Sequence, residues 1–275
     1  MISSALNALT GLLKSTPRAP GRFAAPAGKR LYAFGDVHGR ADLLTVLLDD
    51  IRQELTGPDK PWDSCDIIGL GDYLDRGPHS KDVLDQLITP SLPAGCQMIA
   101  LRGNHEDAFL RVLDSPAAMP TWLDFGGNAT LLSYGVPLIV GTPTPERCQQ
   151  MHAALLERLP ASHLAFLRAM PVSLQRGDYF LVHAGVRPGL PLQEQTPEDM
   201  LWIREEFLSN RRYHGAMVVH GHNITPAPDI HPNRIGVDTG AYCTGTLTCL
   251  VAEEDRSWLL QADSRGVRRT ALPPR

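Results

Sequence analysis

Residues 30–36 read RLYAFGD, an apolar run that ends in glycine and a polar residue, and the pattern returns as CDIIGLGD (65–72) and CQMIALRGN (96–104). Each run is followed by apolar residues at helical spacing, as in ADLLTVLLDDIRQEL (41–55). A strand, a loop and a helix repeated three times are typical of a parallel sheet with crossover helices. Because ligands bind at the carboxyl ends of parallel strands, the polar residues that end each run are candidates for a functional site.

The second half of the chain reads as helices followed by short strands. Helical patterns cover ERCQQMHAALLERL (146–159) and SHLAFLRAM (162–170), with Ser162 as the predicted N-cap of the second. Six apolar runs follow, more antiparallel in character, and the Gly-Asp pair in VSLQRGDYFLVH (172–183) predicts a hairpin. We therefore expect an α/β fold in which two mixed β-sheets pack face to face as a sandwich flanked by helices.

The two ends of the chain differ in composition from the rest. Four apolar residues near the N-terminus have helical spacing: Ile2, Leu6, Leu9 and Leu13. Residues 1–29 are predicted as an N-terminal segment, either a short amphipathic helix docked on the body or on a partner, or a frayed tail, with a Pro-, Gly- and Ala-rich linker at 15–29. Residues 30–263 are predicted as the folded domain, and the basic residues 264–275 as a poorly ordered tail.

Composition and charge exclude several classes of protein. Apolar residues make up 43% and charged residues 20%, a globular balance that excludes a disordered or collagen-like chain. The net charge of −4 argues against binding of nucleic-acid polymers. No apolar run approaches the roughly 18–20 residues of a membrane helix, so no integral membrane segment is expected. The five widely spaced cysteines lack a CxxC pair, which is typical of reduced core thiols in a cytoplasmic protein.

Five motifs at predicted strand ends collect the polar residues: GDVHGR (35–40), GDYLDRG (71–77), RGNHE (102–106), LVHAG (181–185) and VHGHN (219–223). Their carboxylate, imidazole and amide groups are those of a mixed nitrogen and oxygen site for divalent metals. The motifs contain no cysteine, which argues against a structural zinc site. His152 and His163, on predicted helices, and His220, on a predicted strand, are interpreted as packed residues rather than ligands.

In this order, GD-x-HG, GD-x-x-DRG, GNHE, HAG and GH resemble the motifs of the calcineurin-like metallophosphoesterase superfamily. The forms GDYLDRG and RGNHE resemble its PPP branch, the serine/threonine protein phosphatases, and especially the bacterial members that share motifs with diadenosine tetraphosphatases. The resemblance covers residues 30–263 and implies the metallophosphoesterase fold. It departs at Ile224, where other branches have the second histidine of GH-x-H, and this implies fewer protein ligands for the first metal.

The resemblance implies two divalent metal ions, with manganese as the expected metal and iron or zinc as alternatives. Its implied ligands are Asp36 and His38 for the first metal, Asp72 as the bridge, and Asn104, His183 and His222 for the second. A shared carboxylate agrees with the physics, because two cations about 3.5–4 Å apart repel each other. The resemblance further implies in-line attack on phosphorus by a metal-bridging hydroxide.

The resemblance also implies that His105 protonates the leaving oxygen and that Asp75 orients its ring. A substrate phosphate needs cationic donors, and the arginine fork fits phosphate oxygens. Arg76 and Arg102 lie inside the motifs, and Arg204 lies in LWIREEFL, where the family has an arginine in a comparable tryptophan-containing segment. These three arginines are the predicted substrate-binding residues.

The leading prediction is a phosphatase that hydrolyses phosphomonoesters, with phosphoserine or phosphothreonine in proteins as substrate. The alternative is a diadenosine polyphosphate hydrolase with the same metals, and a binding scaffold without activity is disfavoured because every predicted ligand is present. A nucleotide enzyme needs an aromatic platform for the base, and four residues are candidates: Trp122, Phe125, Tyr134 and Trp202. Residues 107–180 are predicted to include a helical insert beside the site.

Overall fold

The structure, a computed structural model, describes residues 23–57, 62–138 and 141–273. Six strands form its first sheet: β1 (Lys29–Phe34), β2 (Ser64–Gly69), β3 (Cys96–Ala100), β9 (Leu247–Glu253), β10 (Arg256–Asp263) and β11 (Gly266–Ala271). In the order β11-β10-β9-β1-β2-β3, the strands β1, β2 and β3 are parallel to one another, as the sequence predicts. The other three join this sheet in antiparallel fashion.

Five short strands form the second sheet: β4 (Ser173–Arg176), β5 (Tyr179–Val182), β6 (Met217–His220), β7 (Asp229–Ile230) and β8 (Arg234–Gly236). Their order is β4-β5-β6-β8-β7. The predicted hairpin is present as the antiparallel pair β4 and β5, whereas β5, β6 and β8 are parallel. The second half of the chain is therefore less antiparallel than expected, because a helical segment between β5 and β6 supplies the long connection that a parallel pair requires.

Ten α-helices occur in the described ranges: α1 (Ala41–Thr56), α2 (Ser80–Ile88), α3 (Asn104–Asp114), α4 (Met119–Trp122), α5 (Asn128–Ser133), α6 (Pro145–Arg158), α7 (Ala161–Ala169), α8 (Pro197–Trp202), α9 (Glu205–Leu208) and α10 (Ala241–Thr244). Helices α1 and α2 connect the three parallel strands, as predicted. The prediction of Ser162 as an N-cap is wrong. Pro160 is extended, with ψ of 140°, so α7 begins directly after it and Ser162 lies in the first turn.

The core is divided between the two faces of the first sheet. Leu31 and Ala33 of β1 pack with Leu181 and Val219 of the second sheet, in the layer between the sheets. The alternate residues of β1 face the opposite way, where Tyr32 packs among residues of α1 and α2. A strand with apolar residues on both faces is typical of a parallel sheet that is covered on both sides. The two mixed sheets and their flanking helices confirm the predicted fold class.

The C-terminal segment differs from the prediction of a poorly ordered tail. Residues 266–271 form β11, which pairs with β10 from Asp263↔Gly266 to Trp258↔Ala271. The turn is stabilised by the backbone N–H of Arg265, which donates to Oδ1 of Asp263 at 2.7 Å. Arg269 also forms an ion pair with Asp50 of α1 at 2.7 Å. The sequence did not indicate this hairpin, because its turn is stabilised by the side chain of Asp263 and lacks the glycine-rich pair that is typical of hairpin turns.

The end of the predicted linker also packs on the body. Ala24 and Ala25 are buried, and their backbone N–H groups donate to the carboxylate of Asp178 and to the carbonyl of Glu254. Residues 23–29 therefore belong to the folded unit, whereas the predicted N-terminal helix lies outside the described residues. None of the helices in the described ranges has both the length and the apolar character that crossing a bilayer requires.

Candidate metal centre

The six predicted metal ligands lie just beyond the carboxyl ends of β1, β2, β3, β5 and β6: Asp36, His38, Asp72, Asn104, His183 and His222. All six are buried. Strands β1 to β3 belong to one sheet, and β5 and β6 belong to the other. The cluster therefore forms where the ends of the two sheets meet, and neither sheet alone contains it.

One group of four donor atoms converges tightly. Nε2 of His183 lies 2.8 Å from Oδ1 of Asn104 and 3.3 Å from Oδ1 of Asp72. Nδ1 of His222 lies 2.9 Å from the same Asn104 oxygen and 3.2 Å from Nε2 of His183. Ligands at right angles around a metal with bonds of about 2.1 Å are about 3.0 Å apart. The spacing of the four atoms therefore fits a single metal ion.

The protonation of His183 supports this interpretation. Its Nδ1 lies 3.0 Å from the carbonyl of Leu70, so Nδ1 carries the proton and Nε2 presents a lone pair to the cluster. Burial lowers the pKa of His183, and burial lowers that of His222 to about 2, so both rings are neutral at pH 7. Nε2 thus faces oxygens that also only accept hydrogen bonds. Such a buried group of acceptors is costly unless a cation joins them.

A second group of donors lies on the other side of Asp72. Oδ2 of Asp72 lies 3.5 Å from Nε2 of His38 and 3.7 Å from Nε2 of His105. His38 is oriented like His183, because its Nδ1 lies 2.7 Å from the carbonyl of Leu74. Its buried Nε2 has no hydrogen-bond partner within the described part of the chain. Burial lowers the pKa of His38 to about 3, so this ring is also neutral and can bind a metal.

Asp36 stands beside these groups and is not a member of either. Two sets of three residues have donor atoms within 4.8 Å of one another among the described residues: His38, Asp72 and His105, and Asp72, His183 and His222. Both carboxylate oxygens of Asp36 accept from the backbone N–H of His222, at 3.1 Å. Burial and the negative charges of Asp238 and Asp72 raise the pKa of Asp36 well above its usual value. A cation bound nearby would stabilise the ionised form of this carboxylate.

Asp72 connects the two groups through its two oxygens. Oδ1 faces His183, whereas Oδ2 faces His38 and His105. Burial opposes the ionisation of Asp72, but the surrounding histidines outweigh it and lower the pKa of this carboxyl. A buried carboxylate with one oxygen directed to each of two donor groups has the geometry of a bridging ligand.

Glu106 fixes the backbone that presents Asp72. Its Oε2 accepts from the backbone N–H groups of Asp72 at 2.8 Å and Gly103 at 2.9 Å. Its Oε1 accepts from those of Tyr73 at 2.8 Å and Leu74 at 3.2 Å. The motifs alone predict no role for Glu106, and its place at the end of RGNHE (102–106) is the one signal for it in the sequence. The glycine at 103 is also required, because a Cβ there would lie 2.2 Å from Oδ1 of Asp72.

Strained backbone is concentrated at the cluster. Six non-glycine residues in the described ranges have a positive φ: His38, Asp72, Asp75, Arg76, His222 and Glu254. The first five lie in the motifs, and only Glu254 lies elsewhere, in the turn between β9 and β10. Such conformations cost about 1–3 kcal/mol each and persist where surrounding contacts determine them. The concentration of strain at this edge is typical of a functional site.

His105 and Asp75 form a hydrogen-bonded pair beside the cluster. Nδ1 of His105 lies 2.7 Å from Oδ2 of Asp75, and both side chains are buried. Burial acts to lower the pKa of His105, but the carboxylates of Asp72 and Asp75 outweigh it, so the pKa is raised. The ring is thus held at Nδ1 by Asp75 and presents Nε2 to the cluster. Because Asp75 is fully buried, its role is not that of a surface ion-pair partner.

The three predicted arginines are placed differently. Nη2 of Arg76 lies 3.2 Å from Nε2 of His105, and its guanidinium stacks over the ring of Tyr242 at 5.0 Å. Arg204 is exposed near His183. Burial and His105 lower the pKa of His183, and the charge of Arg204 lowers it further. Arg102 instead donates from Nη2 to the backbone carbonyl of Arg168 at 3.2 Å, and within the described residues its side chain forms no hydrogen bond or ion pair with the cluster.

Three other histidines occupy packed positions, as interpreted from the sequence. His163 is buried between Asp85 at 2.9 Å and Tyr134 at 2.8 Å. His152 contacts the carbonyl of Leu113 at 3.2 Å. His220 is buried against Phe207, with ring centroids 5.1 Å apart, and belongs to neither donor group.

Two of the four candidate aromatic platforms are buried in the core. Trp122 is 1% exposed and Tyr134 is 5% exposed, so neither can stack on a base. Phe125 and Trp202 are half-buried, with ring centroids 6.0 Å apart, and they line a cavity of about 260 Å³. The ring of Phe125, which lines this cavity, also lies 5.9 Å from the ring of His105.

Comparison with known proteins identifies the family of this chain. A family model of calcineurin-like phosphoesterases matches residues 29–251, and the chain belongs to this family of metal-dependent hydrolases. Serine/threonine-protein phosphatase 2 of Salmonella typhimurium is 25% identical over 228 residues, which are 80% of this chain and 91% of that protein. Serine/threonine-protein phosphatase BSL2 of Arabidopsis thaliana is 35% identical over 80 residues, 29% of this chain and 8% of that much longer protein.

Solved structures share the architecture. A candidate diadenosine tetraphosphatase has a TM-score of 0.56 at 16% identity and covers 91% of this chain and 98% of its own. The cold-active protein-tyrosine phosphatase of a psychrophilic Shewanella has a TM-score of 0.53 at 18% identity, over 91% of this chain and 83% of its own. At these identities the likeness establishes the fold. The confirmed family, together with the site, makes the chain a phosphoesterase, and its substrate is a separate question.

Proposed function

We propose that the protein is a dinuclear metal-dependent phosphatase that hydrolyses phosphomonoesters, with phosphoserine or phosphothreonine in proteins as its substrate. The observation that carries this proposal is Asp72, whose two oxygens face two separate groups of metal-binding side chains beside the His105–Asp75 pair. The family relation and the Salmonella serine/threonine-protein phosphatase support it.

In this proposal Asn104, His183 and His222 hold one metal, Asp36 and His38 hold the other, and Asp72 contacts both. When bound, the two metals supply an activated water and neutralise charge on the phosphate oxygens. The donor sets fit Mn, Fe or Zn, since imidazole, amide and carboxylate ligands suit all three. Arg76 and Arg204, on opposite sides of the cluster, bind the remaining phosphate oxygens.

His105 is the proposed general acid. With Nδ1 held by Asp75, its Nε2 is the atom that delivers a proton to the leaving oxygen. Arg76 lies 3.2 Å from this nitrogen, so the arginine that binds the phosphate adjoins the group that protonates the leaving oxygen. A serine or threonine alkoxide is a poor leaving group and gains from this proton.

The alternative substrate is a diadenosine polyphosphate. The cavity beside His105 favours it, because Phe125 and Trp202 could contact a base there. The loss of Trp122 and Tyr134 as platforms weakens it. The two substrates require the same metals, so they are distinguished only by rates.

Loss of the bridging carboxylate is expected to remove metal as well as activity. Asp72→Asn should lower both the metal content and the rate, because an amide cannot neutralise two cations. The matched control is Asp66→Asn, also on the β2 segment and buried, but paired with Lys29 and Arg176. Metal content per chain and turnover should fall only in the first variant. Full activity of a chelated, metal-free preparation would contradict the proposal.

The choice of substrate is tested with phosphoserine peptide, diadenosine tetraphosphate and bis-p-nitrophenyl phosphate, each with Mn²⁺. We expect the phosphopeptide to have the highest kcat/KM, because two arginines match a dianionic monoester better than a diester with one charge. A higher value for the dinucleotide would select the alternative substrate. A preference for the diester would overturn the monoesterase assignment.

Removal of the general acid should depend on the leaving group. His105→Ala is expected to lower kcat on phosphoserine by about 100-fold or more, with a smaller loss on p-nitrophenyl phosphate, whose leaving group needs little protonation. Metal stoichiometry should stay near normal, as His105 is proposed to act as acid and not as ligand. Equal losses on both substrates would argue against the acid role.

Arg76→Ala and Arg102→Ala test whether both arginines bind phosphate, as the sequence predicts, or only Arg76, as its position beside His105 indicates. Arg76→Ala should raise KM and lower kcat on phosphopeptide, because the contact strengthens as charge develops on the phosphate oxygens. Arg102→Ala should change kcat/KM less than threefold, since its guanidinium is bound to the backbone at the end of α7. Comparable losses in the two variants would place Arg102 in the phosphate site, as the sequence predicts.

A further inference from the structure

We propose that Trp122 and Thr130 are positioning residues for the general acid, because together they fix the carboxylate of Asp75 that orients His105. This inference rests on the proposed function. It also gives a role to α4 and α5, which lie within the segment 107–180 whose chemistry the sequence does not reveal.

Asp75 accepts hydrogen bonds from three side chains on three different elements. Nε1 of Trp122 donates to Oδ2 at 2.9 Å, and Oγ1 of Thr130 donates to Oδ1 at 2.6 Å. Nδ1 of His105 donates to Oδ2 at 2.7 Å. Trp122 and Thr130 therefore bind one oxygen each, and the plane of the carboxylate is determined before the histidine is considered.

The direction of the Thr130 hydrogen bond follows from counting protons. Oγ1 of Thr130 has one hydrogen and also accepts from the backbone N–H of Asp75 at 2.9 Å. Oγ of Ser80 lies 3.0 Å from the same Oγ1 and has a hydrogen of its own that it can donate to it. The single hydrogen of Thr130 is thus free to be donated to Asp75. Asp75, Thr130 and Ser80 are fully buried and Trp122 is 1% exposed, so water cannot replace a lost donor.

The same segment also supports the strained backbone at this point. Asp75 and Arg76 have φ values of 70° and 66°, a region that non-glycine residues adopt only where contacts hold them. The backbone N–H of Arg76 donates to the carbonyl of Gly126 at 3.2 Å, in the turn between α4 and α5. The segment from α4 to α5 thus holds Asp75 by its side chain and Arg76 by its backbone.

Loss of either donor to Asp75 is expected to change the orientation of His105. If Oδ1 loses Thr130 or Oδ2 loses Trp122, the buried carboxylate gains by rotating toward its remaining donors, and the ring of His105 follows it. Nε2 then leaves the line to the departing oxygen. The metal ligands should not be affected by this change, because the side-chain hydrogen bonds of Trp122 and Thr130 in the described residues go to Asp75 and Ser80 and not to a ligand. The loss should therefore affect only substrates that need a proton.

The test uses Thr130→Val and Trp122→Phe, with Thr130→Ser and Phe109→Leu as controls. Thr130→Ser keeps the hydroxyl, whereas Phe109→Leu disturbs the packing of Trp122, 5.2 Å between ring centroids, without removing its N–H. For each variant, kcat is measured on phosphoserine peptide and on p-nitrophenyl phosphate, together with the metal content and the melting temperature.

We expect Thr130→Val and Trp122→Phe to lose about tenfold or more on phosphoserine peptide and less than threefold on p-nitrophenyl phosphate, at normal metal content. Thr130→Ser should restore most of the rate, and Phe109→Leu should lower the melting temperature without a leaving-group-dependent loss. Equal losses on both substrates, or no loss on either, would overturn the proposal. If His105→Ala itself shows no dependence on the leaving group, the general-acid role in the proposed function fails instead.

Discussion

The structure of the site depends on one buried carboxylate, that of Asp72, which must face two groups of ligands at once. The backbone of Asp72 has a φ of 55°. Glu106 stabilises this conformation by accepting hydrogen bonds from four backbone N–H groups, those of residues 72–74 and of Gly103. The absence of a side chain at Gly103 leaves the space that Oδ1 of Asp72 occupies. The neighbouring histidines present lone pairs to oxygens, an arrangement that is unfavourable without a cation. Metal binding and the stability of this edge are therefore expected to be coupled.

The sandwich explains how so many ligands reach one point. Each strand contributes only the one or two side chains that follow its carboxyl end, so a single sheet could not supply the set. The apolar layer that contains Leu31, Leu181 and Val219 fixes one sheet against the other. Packing between the sheets thus brings the two halves of the cluster together, and hydrogen bonds such as those of Glu106 orient its members. Helices α4 and α5 then add the donors that hold the acid–carboxylate pair.

The position of a residue in a motif does not determine the contacts that a long side chain makes. Arg76 and Arg102 lie in equivalent-looking motifs, yet the first contacts His105 and the second contacts a carbonyl at the end of α7. Trp122 was a candidate platform because of its residue type, whereas the structure buries it and uses its N–H. The basic composition of the tail predicts poor order, although residues 266–271 all pair with β10. For Arg102 and Trp122, a contact with a residue distant in the chain decided the outcome.

The sequence by itself determined the α/β class, the parallel strands β1 to β3, the family and the identity of the polar residues at the strand ends. These follow from local patterns: the period of apolar residues, the glycines, and motifs of a few residues. Only the tertiary structure decided that β5 and β6 are parallel, that β9 to β11 complete the first sheet, and that Glu106, Trp122 and Thr130 support the site. These features depend on contacts between residues far apart in the chain, whose geometry is set by the packing of the two sheets and not by any local pattern.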